Sequence, residues 1–162
     1  MSEQATYSTP VVVITPAEPI RFSVPGLPIA QPRQRHRVIQ TNGRAFATNY
    51  TPAKAPVNAW KATVALFARQ AYQGPLLTGP LALTISFDFL LPTAAKKAVR
   101  QAVTTSSRVV YHTSKPEIDN MVKALQDALN KVVWVDDRQI AELHCVKRYA
   151  VESGVQVEIR AR

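Results

Sequence analysis

Between Ser114 and Asp137 the chain reads S-K-P-E-I-D-N-M-V-K-A-L-Q-D-A-L-N-K-V-V-W-V-D-D. Glu117 and Asp119 fall at the expected entrance of a helix, and Lys123 follows one turn later. Asp136 and Asp137 come after the apolar run Val132 to Val135. Carboxylates converging on one point repel one another unless a cation neutralises them. Mg²⁺ is the expected cation, with Mn²⁺ as its substitute, because it is hard and is usually held by a few carboxylates plus water and phosphate. His36, His112 and His144 are scattered, so no His/Cys set competes with zinc spacing. The chemistry this points to is metal-assisted attack on a phosphodiester. The ion polarises a phosphoryl oxygen and activates water, and the Lys123 ammonium offsets charge building in the transition state.

The same residues also have a purely structural reading. Ser114-Lys115-Pro116-Glu117 matches the S-x-x-E capping box, in which Glu117 reaches back to the cap amide. Asp119 is itself a possible N-cap. Lys123 has Asp119 and Asp127 at four-residue spacing on either side, and Asp136-Asp137 fits a turn. Spacing alone leaves both readings open.

The elements that must position these groups can be taken in chain order. Met1 to Glu18 lacks periodicity and reads as a tail or arm, with Val11 to Ile14 as a possible edge strand. Ile20, Phe22 and Val24 alternate with Arg21 and Ser23, the pattern of a half-buried strand ended by Pro25-Gly26. A proline-punctuated loop follows, carrying Arg33, Arg35 and Arg37 at alternate positions. A helix is expected from about Thr51 to Gly74, with Val57, Trp60, Val64, Phe67 and Ala71 as its apolar stripe. Leu81 to Leu91 alternates as a strand. Its Asp88 is expected to be a solvated residue rather than a support of the site.

Pro92 to Thr113 is a long connection in which Ala94 to Val103 forms a short helix bearing Lys96, Lys97 and Arg100. Ile118, Val122, Leu125 and Leu129 are the buried seam expected of the acid-bearing helix, which runs to about Asn130. Ile140 to Tyr149 and Val155 to Ile159 read as a C-terminal hairpin about Ser153-Gly154. The order β-α-β-loop-α-β-β implies a small α/β (α+β-like) domain, a mixed sheet covered by two main helices.

Composition narrows the class further. The chain has 162 residues, 46% apolar, and a formal net charge of +9. Pro19 to Pro116 holds one acid, Asp88, against thirteen Lys or Arg; Glu117 to the end holds eight acids against seven. A polyanion partner and a cation site together account for such segregation. Arg33, Arg35, Arg37, Lys96, Lys97 and Arg100 are the candidate phosphate contacts. No apolar run reaches the ~20 residues of a membrane span, and no basic leader precedes Val11 to Ile14. One cysteine, Cys145, rules out an internal disulfide framework and suits a reducing cytoplasm. It is expected to be a small buried hydrophobe.

K-P-E-I-D-N-M-V-K-A-L-Q-D-A-L followed by V-V-W-V-D-D-R-Q-I resembles the core motif of the RusA family of Holliday junction resolvases. That pattern is roughly K-P-D-x-D-N-x-x-K, then D-A-L, then W-x-D-D. The likeness is gap-free from Lys115 to Ile140 and extends loosely from Phe22 to Ile159, including V-P-G-L-P-I-A-Q-P-R-Q-R, an opening that similar phage-borne members carry. It leaves out Met1 to Glu18, so residues 1–18 are read as a tail and 19–162 as the endonuclease domain.

The resemblance implies metal-binding acids at Glu117, Asp119 and Asp137, an essential lysine at Lys123, and no small-molecule cofactor. It implies a homodimeric enzyme without membrane attachment, cutting four-way DNA junctions in the cytoplasm of a bacterium or phage-infected host. The first acid is Asp in the family pattern and Glu here, so Glu117 either ligates from one methylene farther out or only caps the helix. Asp136 is an alternative to Asp137. Two other readings stay open: a junction-binding protein without cleavage, and a less selective metal nuclease.

Overall fold

The computed structural model describes residues 12–162 apart from residues 33, 34, 42, 43, 51, 53, 106 and 107, and for residues 35–41 and 44–50 it describes the backbone only. Four strands form one mixed sheet: β1 (Ile20–Pro25), β4 (Leu81–Leu90), β5 (Ile140–Ala150) and β6 (Gly154–Ala161), in the order β1-β6-β4-β5. β6 runs antiparallel to both β1 and β4, and β5 runs parallel to β4. The fold is the small α+β domain expected from the element order.

One face of the sheet is apolar because the strands alternate. Ile20, Phe22 and Val24 join Leu83, Ile85, Phe87, Val155, Val157 and Ile159 there, all buried. Helices α1 (Pro56–Ala71) and α3 (Ile118–Leu129) cover this face and pack on each other. Proline at the start of α1 suits a position whose amide has no helical partner. Val57, Trp60, Val64 and Ala68 are its buried residues, so the stripe ends on Ala68 and not on Ala71. Trp60 is 7% exposed, a core residue as expected.

The structure also corrects the sequence reading in its connections and strand order. β5 and β6 do not form a hairpin, because β4 lies between them. The basic loop contains a separate two-stranded hairpin, β2 (Arg35–Thr41) with β3 (Arg44–Tyr50). The apolar run Val132 to Val135 is a turn that pairs with Leu77, with Val133 and Trp134 fully buried. Residues 12–14 do not form a strand. Ile14 instead exchanges hydrogen bonds with Thr78, its amide donating to Oγ1 at 2.8 Å and its carbonyl accepting from the Thr78 amide at 3.0 Å.

The opposite sheet face is largely polar. Asp88 lies there, and it is buried rather than solvated. It accepts from Arg148 Nε at 2.8 Å, Gln156 Nε2 at 3.0 Å and Ser86 Oγ at 2.8 Å. Three donors and one full countercharge are what make a carboxylate tolerable at 5% exposure. Among the described residues, no helix is long and apolar enough to cross a membrane.

Candidate active site

The acid-bearing helix α3 runs from Ile118 to Leu129, held by Met121, Ala124, Leu125 and Leu129 in the core. Val122 is buried with them, but Ile118, expected in the seam, is 40% exposed at the helix mouth. The N-cap residue is Glu117, in extended backbone, and its side chain makes no capping bond. The capping box through Ser114 is therefore not formed. Asp119 sits exposed in the first turn, where the free amides of a helix N-terminus favour negative charge.

Glu117 and Asp119 share a cleft of about 610 Å³ with Tyr111, His112, Ser114, Lys115, Cys145 and Lys147. Asp119 also borders a second cleft, with Lys123, Val122, Gln126 and Leu143. The structure thus places Asp119 beside Glu117 in one cleft and beside Lys123 in the other, between α3 and the middle of β5.

Asp136 and Asp137 are told apart by their bonds. Asp136 caps a short 3-10 turn (Asp137–Gln139) in a capping box of its own, accepting from the Arg138 amide at 3.0 Å while Gln139 Oε1 accepts from the Asp136 amide at 2.9 Å. Arg138 Nε adds a bond at 2.9 Å. These bonds to Arg138 hold the Asp136 carboxyl at about 2. The Asp137 carboxylate makes no hydrogen bond or ion pair among the described residues. It lines neither cleft and stands before the start of β5, whereas the clefts are bounded by Leu143 to Lys147. Among the described residues, no three of His, Cys, Asp and Glu lie close enough together to hold a metal ion.

The remaining acids sharpen the contrast. Asp88, Asp127, Asp136, Glu142 and Glu158 are each paired with a cation. Glu117, Asp119 and Asp137 are not, and share that state only with Glu18 and Glu152 among the described acids. Two free carboxylates at a helix mouth fit a hard cation with water and phosphate completing its shell.

Two residues near this corner, Lys147 and His112, carry more than the sequence reading gave them. Lys147 was missed, although a lysine on the same side of β5 as Leu143, Cys145 and Tyr149 is an anomaly that alternation exposes. His112 stacks on Phe89 at 4.3 Å between ring centres and leans on Tyr149 at 4.9 Å. Burial, then the Lys147 ammonium, lowers its pKa. Cys145, expected to be buried, is half-buried at the edge of the cleft, and burial pushes its thiol up to about 11.

The basic candidates divide. Arg33 lies outside the described residues. Arg35 and Arg37 belong to β2, and the chain leading there is tied to the site by a 2.9 Å bond from the Gln31 amide to the Asn120 carbonyl. Lys96, Lys97 and Arg100 are exposed at the start of α2 (Lys97–Thr104). Arg100 already donates to the Thr93 carbonyl at 2.9 Å.

A family model described as "Endodeoxyribonuclease RusA" matches residues 25–160. The chain is also 33% identical over 141 residues to "Uncharacterized protein YqaN" of Bacillus subtilis (strain 168), covering 87% of this chain and 95% of that one.

Proposed function

Because the chain belongs to the RusA family of endodeoxyribonucleases, we propose that it is a Mg²⁺-dependent endonuclease that resolves four-way DNA junctions by paired, symmetric phosphodiester cuts. The observation that carries this reading is the arrangement of Glu117, Asp119 and Lys123: two carboxylates without an ion-pair partner among the described residues at a helix mouth, with an ammonium one turn beyond Asp119. Glu117 and Asp119 are the residues to hold the ion; Asp137, the third acid of the family motif, keeps a free carboxylate but lines neither cleft. A bound Mg²⁺ would supply Lewis acidity to a phosphoryl oxygen. Lys123, with its side chain 57% exposed, is free to lean toward developing charge. The amides opening α3 point their dipole at the same place.

Positive charge supports the substrate class. The β2–β3 hairpin, with Arg35, Arg37 and Arg44, departs from the acid end of α3, and the exposed Lys96 and Lys97 precede the segment that returns to it. Arms of a branched duplex offer phosphates on several sides at once, which suits basic groups distributed around one acidic corner. Two symmetric nicks require two sites, so the working form is taken to be a two-fold dimer.

A synthetic four-way junction and a linear duplex of the same sequence, each incubated with Mg²⁺, Mn²⁺ or EDTA, test the proposal. Paired nicks in the junction arms with either ion, and none in EDTA, are expected. Junction binding in EDTA without nicking in either ion would leave a binding protein. Equal cutting of duplex and junction would leave an unselective nuclease.

A further inference from the structure

Lys147 occupies an odd place on β5. It is level with Phe87 of β4 on the side of the sheet that the helices cover, where its neighbours in the strand are Cys145 and Tyr149. No carboxylate pairs with it among the described residues. Its ammonium instead donates to two carbonyls, Ser114 O at 2.6 Å and Pro116 O at 2.5 Å. Its own carbonyl accepts from the His112 amide at 2.9 Å. One strand residue therefore makes three bonds to the stretch from His112 to Pro116, which leads straight into Glu117.

That arrangement answers a problem at the mouth of α3. Helix entrances are ordinarily fixed by a side-chain cap. Here the N-cap residue is Glu117, whose side chain makes no capping bond, and Ser114 does not cap either. A carboxylate used as a cap would be withdrawn from other work. An ammonium cannot take the cap's place as acceptor for the free amides, but its charge-assisted bonds to two carbonyls fix the loop that enters the helix. Ser114 O lies in the Ser114–Lys115 peptide and Pro116 O in the Pro116–Glu117 peptide, so fixing both sets the planes on either side of Lys115-Pro116 and so the direction in which Glu117 leaves the loop. Lys147 lines the same cleft as Glu117 and Asp119, so the anchor and the groups it orients share one site.

We infer that Lys147 is a positioning residue: it fixes the entrance of α3 from the neighbouring strand and leaves the carboxylates of Glu117 and Asp119 uncommitted. The activity part of this inference rests on the nuclease reading above; the anchoring part does not. A displacement of about 1 Å in such a site is worth about 100-fold in rate.

The test replaces Lys147 with Met, Gln and Arg in the full chain. Cleavage of a synthetic four-way junction in Mg²⁺ and its binding in EDTA are measured for each. Hydrogen exchange is followed at the amides of Ser114 to Asp119 without metal. The expected result for Lys147→Met is a loss of cleavage of about 100-fold, unchanged binding, and faster exchange confined to that stretch. Lys147→Arg, which keeps the donors, recovers most of the rate. If the Met variant does not fold, Lys147→Gln decides by the same readouts. Cleavage at the wild-type rate overturns the inference, as does slowed cleavage with unchanged exchange. Should the wild-type protein cut nothing in any metal, the nuclease reading fails on its own, and unchanged exchange in the variants would then overturn the anchor separately.

Discussion

Lys123 Nζ lies 3.6 Å from Asp127 Oδ1, one turn onward in α3, and makes no ion pair with Asp119 one turn back. Asp127 is already engaged through its other oxygen, which accepts from Lys61 Nζ of α1 at 2.8 Å. The longer contact is the weaker one, so Lys123 is held loosely while Asp127 is held firmly. Asp119 thereby keeps a bare carboxylate. Lys61 is spent on joining α1 to α3 and contributes to the packing of the two helices.

Asp119→Asn is expected to abolish junction cleavage and leave junction binding intact, because a ligand oxygen is lost while the basic surface is unchanged. Glu117→Gln should follow it, since no capping role remains to explain Glu117. Single-turnover cleavage across a Mg²⁺ titration checks both. Wild-type rates for Asp119→Asn would falsify the metal assignment.

Asp136 and Asp137 should separate cleanly. Asp136→Asn is expected to retain cleavage and to lower the melting temperature; Asp137→Asn is expected to do the reverse. The Asp136 carboxyl is depressed from 3.8 to about 2, chiefly by the Arg138 side chain. Its stabilising effect is therefore complete above pH 3.8 and fades as pH falls toward about 2. Melting curves of wild type and Asp136→Asn should converge over that window. A gap that persists below it would show that the cap does not act through the ionised carboxylate.

Asp88→Ala removes the buried acid on the far sheet face and strands Arg148 and Gln156. Breaking a buried pair costs about 3 kcal/mol, reduced here because Arg148 is part-exposed and can turn to water. Urea unfolding should show a loss of roughly 2 kcal/mol, with junction cleavage unchanged below the new midpoint. A stable but inactive variant would move Asp88 into the site.

Replacing Arg33, Arg35 and Arg37 together should weaken junction binding and flatten its dependence on salt, by about 0.9 in logarithmic slope for each phosphate no longer neutralised. Binding isotherms between low and moderate salt measure this. A slope equal to that of wild type removes the hairpin from the DNA-binding surface.

Local periodicity was readable wherever one face of an element meets the core. Alternation located β1, β4 and β6, and the 3-4 spacing located α1 and α3, because burial selects residue type at those intervals. The β2–β3 hairpin was missed because its sequences, R-H-R-V-I-Q-T and R-A-F-A-T-N-Y, show no apolar-polar alternation. Ile118 was misplaced for a related reason: at a helix mouth the seam runs out of core to meet. The identity of the candidate acids was also legible, since their order and spacing are properties of the chain itself.

Sequence alone thus determined the acid-lysine-acid order, the main elements, the segregated charge and the family. Tertiary structure decided which of those groups are free. Whether Glu117 caps, whether Asp136 or Asp137 keeps a bare carboxylate, and where Lys123 points depend on hydrogen bonds whose competing partners are equally available in sequence. Strand order was decided there too: β4 enters between β5 and β6, so that Lys147 from a strand far along the chain comes to hold the loop before α3. Such bonds join residues about thirty positions apart, and they form only once apolar burial has brought the elements together.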